Sequence, residues 1–358
     1  VAISSDPSGQ DRLDIVCEEC PDGTRLTLGA SEAEISGRKA YITLPELLPL
    51  GESSARFGVQ RPGDDEQHIV ELTLPPVEYR IVPDIATLSG EQPRLTLNVA
   101  ALPGSRVEIA QQPVALNADG QGESSVDLTA QLLGPASEVV TIEQPIAFEV
   151  TSPSGKLYQG QLAFQVGATP LMLEAPGADT VTDQGRFMLA GRTSKGAELW
   201  VAGTTIPVDE AGRFAQLMSI DAVGETRVTV RAVGPGLAPR FISFRLQRVA
   251  SMTAEAALRR QKALPLAKVT SNIANHVGST VTVSGRIEDV RVDGHRTLII
   301  LQADGCQGRA CLARLVYGGL RKLARGESVA AIGRLQGTAG VVGNGGAEVP
   351  DIEVSLLL

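Results

Sequence analysis

The sequence predicts an all-β chain of several two-sheet sandwiches in tandem, followed by a helical connector and a small five-stranded barrel. Three observations carry this. One strand–turn–strand phrase occurs three times: Arg12-Leu-Asp-Ile…Gly23-Thr-Arg-Leu-Thr-Leu, Arg94-Leu-Thr-Leu…Gly104-Ser-Arg-Val-Glu-Ile and Arg186-Phe-Met-Leu…Gly196-Ala-Glu-Leu-Trp-Val. Its Arg-to-Gly spacings are 11, 10 and 10 residues and its starts lie 82 and 92 residues apart, a domain-sized period far longer than solenoid repeats. Second, 38 Gly and 21 Pro among 358 residues supply many turns, and apolar residues alternate with polar ones as half-buried strands require. Third, the texture changes after Val249, first to helix formers and then to a second β pattern.

In the first unit, 1–76, a polar lead-in precedes Leu13 and Ile15, the Cys17-Glu-Glu-Cys20-Pro-Asp-Gly turn, and Leu26 and Leu28, which together predict an antiparallel hairpin. Strands are expected at 32–36, 40–44, 55–60 and 68–74, with Pro75-Pro76 ending the last. The second unit, 77–167, repeats the plan: Leu95, Leu97 and Val99, the Leu-Pro-Gly-Ser turn, Val107 and Ile109, the Asn117-Ala-Asp-Gly turn, then strands near 125–128, 138–150 and 158–166. The third, 168–249, runs from Phe187 and Leu189 through Leu199 and Val201 to strands near 213–220, 225–233 and 240–248. About seven short strands per unit, with turn signals every 8–12 residues, fit an immunoglobulin-like sandwich.

Within 250–265, Thr253 is the expected N-cap of a helix with Glu255 in its first turn and Pro265 as its stop, and a solvated connector is the expected role. A second short helix, about 266–276, leads into the last segment, 266–358. Strands are expected around Val281–Ile287, Thr297–Leu301, Cys311–Tyr317, Glu327–Leu335 and Asp351–Leu357, with a short helix at 320–324 and a glycine-rich loop at 337–346. Three strands, a small helix and two strands is the order of the OB barrel.

Two resemblances follow. Gly196-Ala-Glu-Leu-Trp-Val…Ile206-Pro-Val-Asp-Glu-Ala-Gly-Arg-Phe…Gly224-Glu-Thr-Arg-Val-Thr-Val resembles the bacterial Ig-like modules found in tandem on envelope and secreted proteins. The match is closest over 185–249, looser over 93–166 and weakest over 12–75, where the Asp-x-x-Gly-x-Phe turn is missing. Residues 266–358 resemble the OB-fold family described as like the tRNA-anticodon-binding fold, on Val-Thr-Val-Ser-Gly-Arg, Leu-Ala-Arg-Gly-Glu-Ser-Val-Ala-Ala-Ile-Gly-Arg-Leu and the helix before them. The first resemblance implies spacing and contact with protein or glycan; neither brings one activity or a set of site residues.

The net charge of −9 is unevenly spread: residues 1–250 carry 19 basic and 32 acidic side chains, residues 251–358 carry 13 and 9. The acidic part repels nucleic acid and anionic membrane surfaces. No apolar run is long enough for a spanning helix. The chain opens at Val1 without a signal-peptide pattern, which leaves open a removed leader or anchor, an excised portion or a trimmed chain.

The cysteines form two close pairs, Cys17/Cys20 and Cys306/Cys311, suited to disulfides in an oxidising compartment; free thiols and a shared metal site are the alternatives. A redox role for Cys17-Glu-Glu-Cys20 is disfavoured, because two glutamates and a β context raise rather than lower a thiol pKa. The segment 117–123 has the outline of a calcium loop, but a plain turn accounts for it. The three histidines, His68, His276 and His295, fall in different units, and no nucleophile elbow, zinc-protease helix or phosphate loop occurs, so no catalytic residue, metal or cofactor is expected. Trp200 is expected in the core; exposed, it could stack on a sugar.

The candidate binding face is that of the barrel: Arg291, His295, Arg296, Arg309, Arg314, Tyr317 and Arg334. Nucleic acid is disfavoured there. Stacking aromatics contribute about 1–3 kcal/mol per base, and Tyr317 is the segment's one Phe, Tyr or Trp. The sequence thus predicts a rod-like, non-catalytic scaffold in a bacterial envelope or surface assembly, periplasmic or on the cell surface. Its expected partner is a protein; a glycan is the second class and single-stranded nucleic acid the third.

Overall fold

A computed structural model describes residues 1–5, 10–90, 93–305, 311–340 and 348–358. The chain is all-β, and its described residues form seven sheets and a few short helices. It divides into two compact units, 1–128 with 143–164, and 129–142 with 165–358.

In the first unit, one sandwich sets the three strands Ala2–Ser5, Asp11–Val16 and Lys39–Thr43 against the four strands Ser31–Glu34, Arg25–Leu28, Gly51–Gln60 and His68–Val77. Leu13, Ile15 and Ile42 of one sheet and Leu26, Phe57 and Leu74 of the other share a single core. The expected hairpin across Cys17–Cys20 is therefore corrected: Asp11–Val16 and Arg25–Leu28 lie in different sheets, and the turn carries the chain across the core. Both halves alternate as a hairpin would, but each turns its apolar side toward the other, because the core lies between them. Cys17 and Cys20 are joined as a disulfide in this crossing, and the Thr24 hydroxyl donates to the Pro21 carbonyl at 2.7 Å. A second correction concerns Pro75-Pro76, which do not end their strand; it continues to Val77. That strand is the outermost of its sheet, where a missing N–H interrupts no ladder.

The next sandwich repeats the plan. Tyr79–Asp84, Arg94–Ala101 and Gln121–Asp127 form one sheet, and Gln112–Val114, Arg106–Ile109, Val140–Thr151 and Leu157–Ala168 the other. The recurrent glycine of the three phrases has one physical cause: Gly23, Gly104 and Gly196 adopt φ of 86°, 89° and 73°, left-handed values that a Cβ disfavours. In the 117–123 turn, Asn117 Oδ1 accepts from the backbone N–H groups of Asp119 and Gln121, the plain turn expected. Asp209 does the same for Ala211 and Arg213 in the third repeat.

Where the first two sandwiches meet within this unit, Arg80 closes a fork on Asp11 with contacts of 2.7 and 2.6 Å. The Leu48 N–H donates to the same carboxylate at 2.7 Å. Burial of Asp11 opposes its ionisation, but the Arg80 hydrogen bonds and charge and the Leu48 N–H outweigh it, so the carboxyl is held below its ordinary range.

In the second unit, the third sandwich packs Leu171–Ala175, Arg186–Thr193 and Arg213–Ser219 against a five-stranded sheet. That sheet runs Asp179–Thr182, Arg240–Arg248, Gly224–Val233, Glu198–Val201 and Thr204–Ile206, around a core of Leu189, Leu199, Phe214, Val230, Phe244 and Leu246. The helix is Met252–Arg260, capped by Ser251 rather than Thr253: the Ser251 hydroxyl accepts from the Ala254 N–H. Nor does Pro265 stop it. The helix ends at Arg260, and Leu264–Pro265 pair in parallel with Val281–Thr282. A four-residue helix, Leu266–Val269, and a 3-10 turn, Ile273–His276, occupy the span expected to be one helix.

The last five strands, Thr280–Asp293, Arg296–Ala303, Cys311–Tyr317, Ser328–Gly340 and Glu348–Leu357, close on themselves. The third pairs in parallel with the fifth, the fifth with the fourth, and the fourth returns to the first along Thr280–Arg286. This gives the 1-2-3-5-4-1 order of a five-stranded barrel around Val281, Ile287, Ile299, Leu315, Leu335 and Ile352. The helix expected at 320–324 does not form. Thr297 Oγ1 donates to the Gly319 carbonyl at 2.7 Å and accepts from the Arg321 N–H at 3.0 Å, so this buried side chain, not an i→i−4 ladder, directs the segment. The expected glycine-rich loop is strand as far as Gly340, and 341–347 lie outside the described residues.

Candidate functional site

The barrel face predicted to bind a ligand is turned largely to intramolecular work within the second unit. The Asp293-Gly294-His295 hairpin reaches Glu174, on a strand of the third sandwich. The His295 N–H donates to Glu174 Oε2 at 3.1 Å, and its Nδ1 stands 3.6 Å from the same oxygen. Arg192 holds the other oxygen at 3.1 Å. A Cβ at Gly294 would force the Glu174 carboxylate to shift, and the glycine's φ of 57° is a left-handed value that a Cβ disfavours. The Arg296 guanidinium donates to the Leu173 carbonyl.

The remaining candidates separate. Arg291 pairs with Asp289 at 2.9 Å. Arg314 forms a fork on Asp351 at 2.8 and 2.7 Å, and that hydrogen bonding raises its already high pKa further against the opposing effect of burial. Tyr317 lies half-buried with the Arg321 guanidinium 5.4 Å from its ring centre. Arg334 is exposed beside Gly278. Arg309 and Cys306 lie outside the described residues, while Cys311 opens the third barrel strand. The face therefore brings together His295 and Arg296, and does so against the sandwich.

A second set of contacts binds sandwich, helix and barrel. The Ala178 N–H donates to Glu353 Oε1 at 2.7 Å. Arg259 of the helix reaches Asp179 at 3.3 Å, Gln247 at 2.6 Å and Glu255 at 2.9 Å. Beneath it, Val181, Val249, Ala256, Ile332 and Leu356 form an apolar cluster drawn from all three elements. The helix expected to be a solvated connector is thus a packed wedge: Ala256 is 1% exposed. Sequence reasoning missed Glu174, Glu353 and Arg259. Apart from the i,i+4 pair of Arg259 with Glu255, their partners lie on other elements, and no local spacing marks such pairs.

Between the hairpin and the sandwich lies a cleft of about 620 Å³, lined by Glu174, Arg192, Asp209, Arg213 and His295 over Val208 and Phe214. Its charged groups form two networks, Glu174 with Arg192 and His295, and Asp209 with Arg213. Trp200 is absent from the core, against expectation. It alternates with the buried Leu199 and Val201 and so stands on the outer face of the five-stranded sheet, partly exposed, with the Arg231 guanidinium 4.1 Å from its ring centre. Among the described residues no cluster of His, Cys, Asp or Glu is arranged to hold a metal. Among the described residues no helix is long and apolar enough to cross a membrane.

No family model matches the chain, and no curated protein matches it. Among solved structures, the chain is similar to a tetra-tandem repeat from the extending region of a large adhesion protein, at 12% identity over 96% of this chain and 94% of that one, with a TM-score of 0.18. The ICAM-5 D1–D4 ectodomain fragment matches at 10% identity over 97% and 94%, with a TM-score of 0.19. The fibronectin(III)-like modules of Clostridium thermocellum CbhA match at 9% identity over 43% and 85%, with a TM-score of 0.18. Scores this low assign neither family nor activity, and the functional reading rests on the chain's own residues.

Proposed function

We propose that the chain is a non-catalytic scaffold of a bacterial envelope or surface assembly, working outside the cytoplasm and engaging a protein partner. The carrying observation is how its charged side chains are employed. Glu174, His295, Arg296, Glu353, Arg259 and Asp179, far apart in sequence, fasten sandwich, helix and barrel to one another. Such fastening suits a part that holds a fixed spacing. The Cys17–Cys20 disulfide supports an oxidising compartment, periplasmic or at the cell surface. On this reading the functional segments are 1–76, 77–167 and 168–249 as Ig-like modules, 250–265 as the connector and 266–358 as a module of the OB class. The resemblance of 266–358 to the tRNA-anticodon-binding-like family supplies its fold class and not its ligand, since the arginines that would face nucleic acid are largely paired internally.

A photo-crosslinking residue placed at Val292, 63% exposed on the barrel hairpin, tests this in the native host. The expected product is a discrete adduct with one or a few envelope proteins, identified by mass spectrometry and lost when the partner is deleted. Adducts with nucleic acid, or with cytosolic proteins alone, contradict the proposal.

A second reading, a glycan-binding accessory, is favoured by the placement of Trp200 outside the core. A partly exposed indole on an outer sheet face is a surface on which a sugar ring can stack.

A further inference from the structure

We infer that the outer face of the third sandwich's five-stranded sheet is a binding site for an acidic polysaccharide, one bearing carboxylate or sulfate groups. This rests on the glycan reading and names the class of glycan and the residues that would recognise it.

The face is laid out in rungs. Trp200 stands opposite Arg231 on the neighbouring strand and Thr205 on the other side. Two residues along comes the pair Thr229 and Ser243, whose hydroxyls lie 2.9 Å apart. Two further along, Arg227 faces Arg245 in direct register. Like charges directly opposite on a sheet are destabilising, and sequences that break such a local rule do so preferentially at functional sites. Asp179 offsets this only in part, because it accepts from both Arg245 and Arg259 at 3.3 Å. Arg227 is exposed. Carboxylates flank the strip, Glu225 beyond the arginine rung and Glu198 beyond Trp200, so the positive potential is confined to its middle.

That pattern selects the ligand. Arg227 lies four residues from Arg231, the register partner of Trp200, so the arginine rung and the indole rung are separated by about 14 Å at the usual strand rise. The guanidinium of Arg231 lies over the indole. A sugar chain bearing an anionic group can place it at the exposed Arg227 and set ring hydroxyls on Thr229 and Ser243. A neutral glycan leaves the arginine rung uncompensated. A nucleic acid, with a charge on every residue, meets Glu198 and Glu225 and the net negative charge of residues 1–250.

The test titrates the full chain with a uronate hexasaccharide, a sulfated hexasaccharide, two neutral hexasaccharides and a single-stranded DNA 12-mer. Trp200 is the chain's one tryptophan, so its emission reports this face directly, and calorimetry gives affinities independent of the probe. Expected is saturable binding of an acidic oligosaccharide with a change in Trp200 emission. Arg227→Gln should weaken it at least tenfold, with near-ultraviolet dichroism unchanged. Binding of neutral and acidic sugars alike overturns this inference and leaves the glycan reading standing. Silence to every oligosaccharide overturns both. Wild-type affinity in Arg227→Gln, or DNA binding as tight as that of the acidic sugars, also overturns the inference.

Discussion

Arg80→Ala is expected to destabilise the unit containing the first two sandwiches by about 3–5 kcal/mol, the range for removing one partner of a buried ion pair. Asp11 is 2% exposed and both its oxygens are engaged by Arg80, so the variant strands a carboxylate inside the protein with the Leu48 N–H as its remaining named donor. Replacing both partners by apolar residues, Asp11→Leu with Arg80→Leu, should recover most of the loss, since no charge is then left buried. The two variants separate the penalty of an orphaned charge from the net worth of the pair.

The pH dependence carries a sign of its own. In the native chain the Asp11 carboxyl is held below its ordinary range, so its contribution is fully present above the unfolded-state pKa of about 3.9 and is lost as pH falls through the folded value. In Arg80→Ala burial acts on Asp11 without the compensating guanidinium, which favours the protonated form. The stability gap between variant and native chain should therefore narrow as pH falls from 7 toward 4. Denaturant melts followed by hydrogen exchange in strands Asp11–Val16 and Tyr79–Asp84 measure both effects. A loss below 1 kcal/mol at pH 7 would contradict the assigned role of the pair.

Leu356→Ala is expected to cost about 2–5 kcal/mol, the range for truncating a fully buried leucine. Its particular consequence is where the loss appears. Leu356 belongs to the last barrel strand, yet it packs with Val181 of the sandwich and Ala256 of the helix. Hydrogen-exchange protection should fall together in Asp179–Thr182, Met252–Arg260 and the barrel, because the three share this cluster and the Arg259 network above it. Loss confined to the barrel would mean that the helix tethers it without fixing it.

Much of this architecture could be read from the chain. Period-two alternation at Leu95, Leu97 and Val99 and the left-handed glycines Gly23, Gly104 and Gly196 are local properties, and local properties determine strands and turns. The failures have a common cause in partners far away in sequence. Leu13 and Leu26 alternate alike whether their strands pair or face each other across a core, so the crossing at Cys17–Cys20 looks like a hairpin. Leu320 to Ala324 has the composition of a helix, but Thr297 holds the segment in another course. The same holds for the candidate site. His295 and Arg296 carry the chemistry of a binding face, and Glu174, 121 residues earlier, turns it inward. Trp200 shows the reverse: Leu199 and Val201 on either side of it take the core face by period-two alternation, so its outward placement is legible locally, and its large apolar side chain alone argues for the core.

A scaffold working outside the cytosol keeps its paired cysteines oxidised, and thiol alkylation with intact-mass readout on protein taken from its own host, with and without reductant, reads that state. The prediction is that Cys17 and Cys20 resist alkylation until reduced, and that Cys306 and Cys311 behave alike as a second pair. Four thiols alkylated without reductant would contradict it, removing the oxidising compartment from the argument and returning the barrel to consideration as a cytosolic module.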